Sequence, residues 1–191
     1  MDFKKLVLET RSVRRFQQEP APGREQLEAW VDLARRTPSA TNRQPLRYLV
    51  VAGAEDCARL FPSLHWAGAL KDWPGPAEGE RPTGYVLLLR DSRLSKTREH
   101  DEGIAAYALQ LAARADGYGS CMLGAIERDR IRAEFSLPEW CEIILVLAFG
   151  IQGETIVLED AGTGVASPSY YRDADSVHHV PKRTLKDVLI D

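Results

Sequence analysis

The chain has 191 residues, of which 44% are hydrophobic and 28% charged, and its net charge is -3. That is the size and composition of one ordinary folded domain, able to bury a core without disulfides or structural metal, and it is not the composition of a disordered chain. So small a charge provides no global field for nucleic acid or anionic membrane, and any charged partner must be met by a local patch.

In chain order, Asp2–Glu9 reads as a short helix that gathers Phe3, Leu6 and Val7 on one face. Arg11-Ser12-Val13-Arg14-Arg15-Phe16 follows as an irregular or extended basic stretch. Pro22 suits the first position of a second helix, where Leu27, Trp30, Val31 and Ala34 keep helical spacing; Pro38 ends it near Arg36 or Thr37. A polar loop, Pro38-Ser39-Ala40-Thr41-Asn42-Arg43-Gln44-Pro45, leads into a strand over Leu46–Val51. From Pro62 to Gly84 the chain is irregular and broken by Pro and Gly, yet it carries Trp66 and Trp73, as a lid, binding loop or interface segment would.

Tyr85–Leu89 is a buried strand candidate. Asp101–Ala115 is the clearest helix, with an expected apolar stripe of Ile104, Ala108, Leu111, Ala112 and Ala115; Asp101 and Glu102 suit its positive N-terminal end and Gly117 its stop. A strand at Gly119–Leu123, a helix at Glu127–Phe135 and a strand at Ile143–Phe149 complete the body. Continuous apolar strands among amphipathic helices imply a sheet covered on both faces. The tail after Gly150 is polar and Gly/Ser-rich, and only Thr184–Ile190 looks helical. So irregular a segment is expected to lie along another surface, such as a second subunit.

Cys57, Cys121 and Cys141 are far apart and form no metal-ligand spacing. Their odd number, with no apolar leader-like stretch at the N-terminus, points to a reducing cytoplasm, and the longest apolar run is too short to span a bilayer. His65, His100, His178 and His179 form no set with Ser or Cys, and no metal site is expected.

Three segments offer chemistry. Arg11, Ser12 and Arg14 on extended backbone can converge on a phosphate, because guanidinium groups donate paired, charge-assisted hydrogen bonds; alone, the same residues also fit a solvated basic turn. Ser39, Thr41, Asn42 and Gln44 offer donors and acceptors for the edge of a heterocycle, or simply cap a turn. Leu123-Gly124 lies where a strand gives way to a helix, where backbone amides can approach a ligand or merely turn the chain. Gly117, Gly119 and Gly124 do not make a dinucleotide-binding fingerprint.

Taken together, TRSVRRF, PSATNRQP, GYGSCMLGAIE and VPKRTL, in this order and spacing over nearly the whole chain, resemble the nitroreductase family of FMN-dependent oxidoreductases. The resemblance implies an α+β fold, a central mixed or antiparallel sheet surrounded by helices. It implies one domain over 1–191 in an intertwined homodimer, with the 151–191 tail extending along the partner. It further implies FMN as cofactor. Arg11, Ser12, Arg14, Lys182 and Arg183 would hold its phosphate and ribityl chain. Pro38, Ser39, Ala40, Asn42 and possibly Gln44 would line the cofactor from the other subunit, and the Leu123 and Gly124 amides would face flavin N5 and O4.

No catalytic side chain is required, since the flavin carries the reaction. The expected reaction is ping-pong transfer from NAD(P)H to an electron-poor acceptor such as a nitroaromatic or quinone; a non-catalytic FMN store and a flavin-processing protein are the alternatives. The chain departs from the family in having only the 62–84 loop to cover the flavin, in Leu46 where many members have an aromatic residue, and in Leu123 where some have a carboxylate.

Overall fold

The computed structural model describes residues 2–95 and 100–190. Its elements are α1 (Phe3–Glu9), β1 (Phe16–Gln17), α2 (Arg24–Ala34), β2 (Leu46–Ala52), α3 (Ala54–Leu60), β3 (Gly84–Asp91), α4 (Asp101–Ala115), β4 (Gly119–Leu123), α5 (Arg128–Glu134), β5 (Cys141–Gln152), β6 (Ile156–Asp160), β7 (Tyr171–Arg172), β8 (His178–Lys182) and α6 (Leu185–Val188), with short 3-10 turns at Ala40–Asn42 and Phe61–Ser63.

The main sheet is antiparallel throughout. It runs β2-β3-β5, and β4 and the two-residue β1 also pair with β5. Every residue of β3 is buried, so side-chain alternation feeds two cores. Tyr85, Leu87 and Leu89 pack with Cys57 and Leu60 of α3, Ile131 of α5 and Trp66 of the long loop. Val86 and Leu88 pack with Leu27 and Trp30 of α2 and Ala105, Ala106 and Leu109 of α4. This is the α+β architecture, with helices on both faces, that the apolar strands imply.

Several local expectations need correction. Pro22 lies before α2, whose cap is Gly23, and is itself buried. The helix α3 was not anticipated, because its short sequence AEDCARL buries only Cys57 and Leu60. On α4 the core-facing residues are Ala105, Ala106, Leu109, Ala112 and Ala113, whereas Ile104 is 41% exposed and Ala115 is also exposed. Of the expected stripe, Ala112 is buried and Ala108 packs against the core, whereas Ile104 and Ala115 turn outward. Small alanines explain the difference: Ala105, Ala106 and Ala113 let the backbone of α4 sit close to the sheet, so they are buried with Leu109 while Ile104 is not.

Asp101 and Glu102 are also buried, and have specific partners. Asp101 accepts from the Ser39 hydroxyl (2.5 Å) and the Ala40 amide (3.0 Å), and Glu102 pairs with Arg90 (3.4 Å).

The tail is more regular than its composition suggests. The strands β6, β8 and β7 form a second sheet, with β6 and β8 parallel and β7 antiparallel to β8. The helix at the end spans only Leu185–Val188. Glu154 and Arg172 pair at 2.7 Å, and His178 is fully buried, so the tail sheet is anchored on the chain's own body.

Candidate flavin-phosphate site

The extended segment after α1 is built against β4. The Val13 amide donates to the Ser120 carbonyl (2.9 Å), and Ser12 bridges Ser120 in parallel fashion. This close approach needs glycine at position 119, because a Cβ there would lie 2.8 Å from Val13 Cγ2. Glu154 fixes the backbone next door. One of its oxygens accepts from the Arg14 amide (2.5 Å) and the Arg15 amide (3.3 Å), and the other from Arg172 (2.7 Å). Successive side chains of an extended segment point to opposite sides, so Arg14 and Arg15 enter different spaces.

On the Arg14 side lies a cavity of about 310 Å³, lined by Thr10, Arg11, Ser12, Arg14, Gln110, Tyr170, His178, Val180 and Lys182. Three cations and three hydroxyl-bearing residues of the N-terminal segment and tail thus share one space whose lining includes no Asp or Glu. Arg11 holds the Val7 carbonyl through one terminal nitrogen (2.8 Å), while its buried Nε has no partner. Arg14 lies over the Tyr170 ring, 4.6 Å from its centroid, and donates to His178 Nε2 (2.9 Å).

A guanidinium can only donate, so Nε2 must accept, which assigns the proton to Nδ1, itself buried without a partner. Burial first, and then the Arg14 charge, push His178 down to about 4, so the imidazole is neutral at pH 7. A neutral acceptor orients Arg14 without neutralising it. The donor set, its unspent guanidinium nitrogen and the absence of a competing carboxylate in the lining fit a phosphate dianion.

The other expected residues lie elsewhere. Pro38, Ser39 and Gln44 border a different cavity of about 320 Å³, beside Tyr48 and Asp101, and Ala40 and Asn42 belong to the same exposed loop. Asp101 pins that loop, and the Ser39 hydroxyl also accepts from the Gln44 amide (2.9 Å). These bonds hold Thr41, Asn42 and Gln44 at positive φ (49°, 57° and 50°), which is costly for a β-branched threonine. Burial and the nearby Asp101 push Tyr48 up to about 12, so it stays a neutral phenol.

Leu123 ends β4 opposite Val146, with Gly124 exposed just beyond; neither lines the phosphate-sized cavity. Arg183 faces away from the cavity and holds the Val165 carbonyl (2.8 Å) and the Ala166 carbonyl. Strand alternation in β8 accounts for this, since His178, Val180 and Lys182 share one side. Reading 178–182 as a strand would have joined His178 to Lys182 and separated Arg183. Glu154 and Tyr170 had no comparable signal, because both act across long sequence distances.

Cysteine chemistry finds no support here. All three thiols are buried, and burial pushes Cys57 and Cys121 up to about 11, far from a reactive thiolate at neutral pH. Among the described residues no helix is long and apolar enough to cross a membrane.

An antiparallel sheet between helical layers, with a cationic cavity closed by the returning tail, defines an α+β domain of the nitroreductase type. The chain belongs to the nitroreductase family, whose model matches residues 7–151, and is accordingly an oxidoreductase by family. It is 30% identical to a Methanothermobacter thermautotrophicus protein named as an NADH dehydrogenase/NAD(P)H nitroreductase, over 81% of this chain and 79% of that one. A nitroreductase family protein from Clostridium difficile 630 has a solved structure that superposes with a TM-score of 0.64 at 28% identity, covering 81% of this chain and 86% of that chain. A nitroreductase from Exiguobacterium sibiricum, solved with FMN, shares the fold with a TM-score of 0.67 at 21% identity, covering 87% and 93%.

Proposed function

We propose that this chain is an FMN-dependent oxidoreductase that takes hydride from NAD(P)H and delivers electrons to an electron-poor acceptor such as a nitroaromatic or quinone. The two substrates would use the site in turn, in a ping-pong cycle. The observation that carries the reading is the cavity in which Arg11, Ser12, Arg14 and Lys182 meet without a lining carboxylate. Its cations and hydroxyl groups suit the phosphate of a flavin mononucleotide. The FMN-bound relative from Exiguobacterium sibiricum supports the same cofactor.

Bound FMN supplies the hydride-accepting and electron-donating chemistry. The chain's own residues bind and orient. Arg11, Arg14 and Lys182 neutralise the phosphate, and Ser12 adds a hydroxyl. His178 and Tyr170 fix the Arg14 guanidinium in direction. Arg183, by holding the 165–166 carbonyls, braces the tail strand that presents Lys182. Leu123 and Gly124 present backbone to the ring edge, and Pro38, Ser39, Ala40, Asn42 and Gln44 of a second subunit wall the cofactor.

That last role requires a homodimer. Uncovered apolar residues support one: Phe3 and Leu8 on α1, Leu33 on α2, Ile104 on α4, and the tail end, where Ile190 is 99% exposed. In this arrangement the tail end reaches the partner, while β6–β8 remain on their own subunit.

A visible spectrum of the purified protein and steady-state oxidation of NADH and NADPH with an added quinone test the proposal. A yellow protein giving parallel double-reciprocal lines is expected. A yellow but inert protein would be a flavin store, and a cofactor altered in mass after turnover would mark a flavin-processing enzyme. Colourless protein that refuses added FMN overturns the reading.

A further inference from the structure

The chain enters β3 through Arg81, Pro82 and Thr83, and strand alternation puts positions 81, 83 and 85 on one side of this run. Residues of that side border a cavity of about 340 Å³, walled on its apolar flank by Ala54, Ala58 and Phe61. Small-molecule sites occupy roughly 300–1,000 Å³, so the space is large enough for one ring and its substituent. It shares no lining residue with the flavin-phosphate cavity. The backbone beside it is held at two points: the Gln18 side-chain amide donates to the Arg81 carbonyl (2.9 Å), and the Thr83 amide donates to the Phe149 carbonyl (2.9 Å).

Each of the three residues on that side carries a buried polar atom without a partner: Arg81 Nε, Thr83 Oγ1 and the Tyr85 hydroxyl. Tyr85 is fully buried, and burial, followed by the neighbouring Cys57, pushes its phenol well up, so it stays protonated and able to donate. Arg81 lies over Phe61, its guanidinium carbon 4.3 Å from the ring centroid. Buried polar atoms left unpaired are costly, and three at alternate positions beside one space are resolved by a ligand that brings an acceptor. The charge of the lining decides which acceptor. Glu19 and Glu78 outnumber Arg81 there, so an anion is disfavoured, whereas a neutral carbonyl oxygen takes the same donors without meeting repulsion.

We propose that this cavity is a second binding site, for a neutral aromatic carbonyl compound such as an aryl amide, whose oxygen accepts from the Tyr85 hydroxyl and whose ring lies against Ala54, Ala58 and Phe61. Thr83 and Arg81, the next two positions along the same side, serve the remaining polar edge of the ligand. Recognition depends on none of Arg11, Arg14 and Lys182. The site stands on its own residues and does not depend on the identity of the cofactor.

The test is ligand titration followed by NMR at pH 7, on the full chain in excess FMN, with three probes of one shape and different charge: benzamide, benzoate and benzylamine. Saturable binding of benzamide is expected, with flavin absorbance unchanged and benzoate at least about tenfold weaker. Tyr85→Phe keeps the ring in the sheet and removes only the unpaired hydroxyl, and it should weaken benzamide about five- to tenfold. Ala58→Phe, at an exposed helix position, should fill the space and abolish binding while the fold is retained. No saturable benzamide binding up to about 10 mM would overturn the proposal. So would benzoate or benzylamine binding as tightly as benzamide, an affinity unchanged in Tyr85→Phe or Ala58→Phe, or binding that displaces flavin.

Discussion

Replacing Glu154 with glutamine tests the central brace of the site. The Glu154 side chain is 2% exposed and serves three donors: the Arg14 and Arg15 amides at 2.5 and 3.3 Å and the Arg172 guanidinium at 2.7 Å. Glutamine keeps one carbonyl oxygen, enough for a backbone amide, but removes the charge that balances Arg172, itself only 11% exposed. Breaking one side of such a buried pair costs about 3–5 kcal/mol, and the surviving amide bond returns a part of it. We therefore expect Glu154→Gln to lose roughly 3 kcal/mol of stability. Urea unfolding followed by tryptophan fluorescence reads this as a midpoint lower by about 1.5 M for a slope near 2 kcal/mol/M. In a double-mutant cycle with Arg172→Met the two losses should overlap by more than about 1 kcal/mol, because the second substitution removes the stranded charge. A loss below about 0.5 kcal/mol, or strictly additive losses, would refute the assignment of Glu154 as the brace.

Gly119→Ala should push Val13 away from β4, costing about 1–3 kcal/mol and weakening FMN retention, as read by thermal unfolding and flavin release. Tyr85→Phe should be neutral or slightly stabilising, by up to about 1 kcal/mol, since the buried hydroxyl has no partner; a clear loss in denaturant titration would contradict this. The depressed His178 makes folding pH-dependent. Its contribution is whole above about pH 6.5 and declines toward pH 4, because the unfolded chain takes up the proton first. His178→Asn should remove about 2–3 kcal/mol of that decline between pH 6.5 and 4. His179 is raised, first by Asp173 and then by Glu159, and acts in the opposite sense, so wild type and variant must be compared across the same range. Identical pH slopes would contradict the assignment.

The body of the fold was legible because its strands carry unbroken apolar runs: β4 matches its expected bounds, and β3 and β5 differ only in their ends. Periodicity was only partly right on α4, where Ala108 and Ala112 meet the core but Ala105, Ala106 and Ala113 were missed, and it failed in the tail, where β6 to β8 are held by pairing across the chain rather than by local hydrophobic alternation. At the site, Arg11, Ser12, Arg14 and Lys182 could be read as a set because their residue types declare an anion. The roles of His178 and Glu154 could not, since a buried imidazole accepting from arginine and a carboxylate holding amides 139 and 140 positions away appear only when the tail folds back. Ser39 shows a different limit: its hydroxyl serves Asp101 within the chain, a partnership that the loop sequence does not announce.

The outer face of α4 makes dilution a variable of the fold itself. One side of that helix is committed to the sheet, and Ile104 is left in water on the other. If a second copy covers that stripe, melting temperature rises with protein concentration, and the fold is strongest where the chain is most abundant. Conditions dilute enough to separate subunits would then shed colour and structure together.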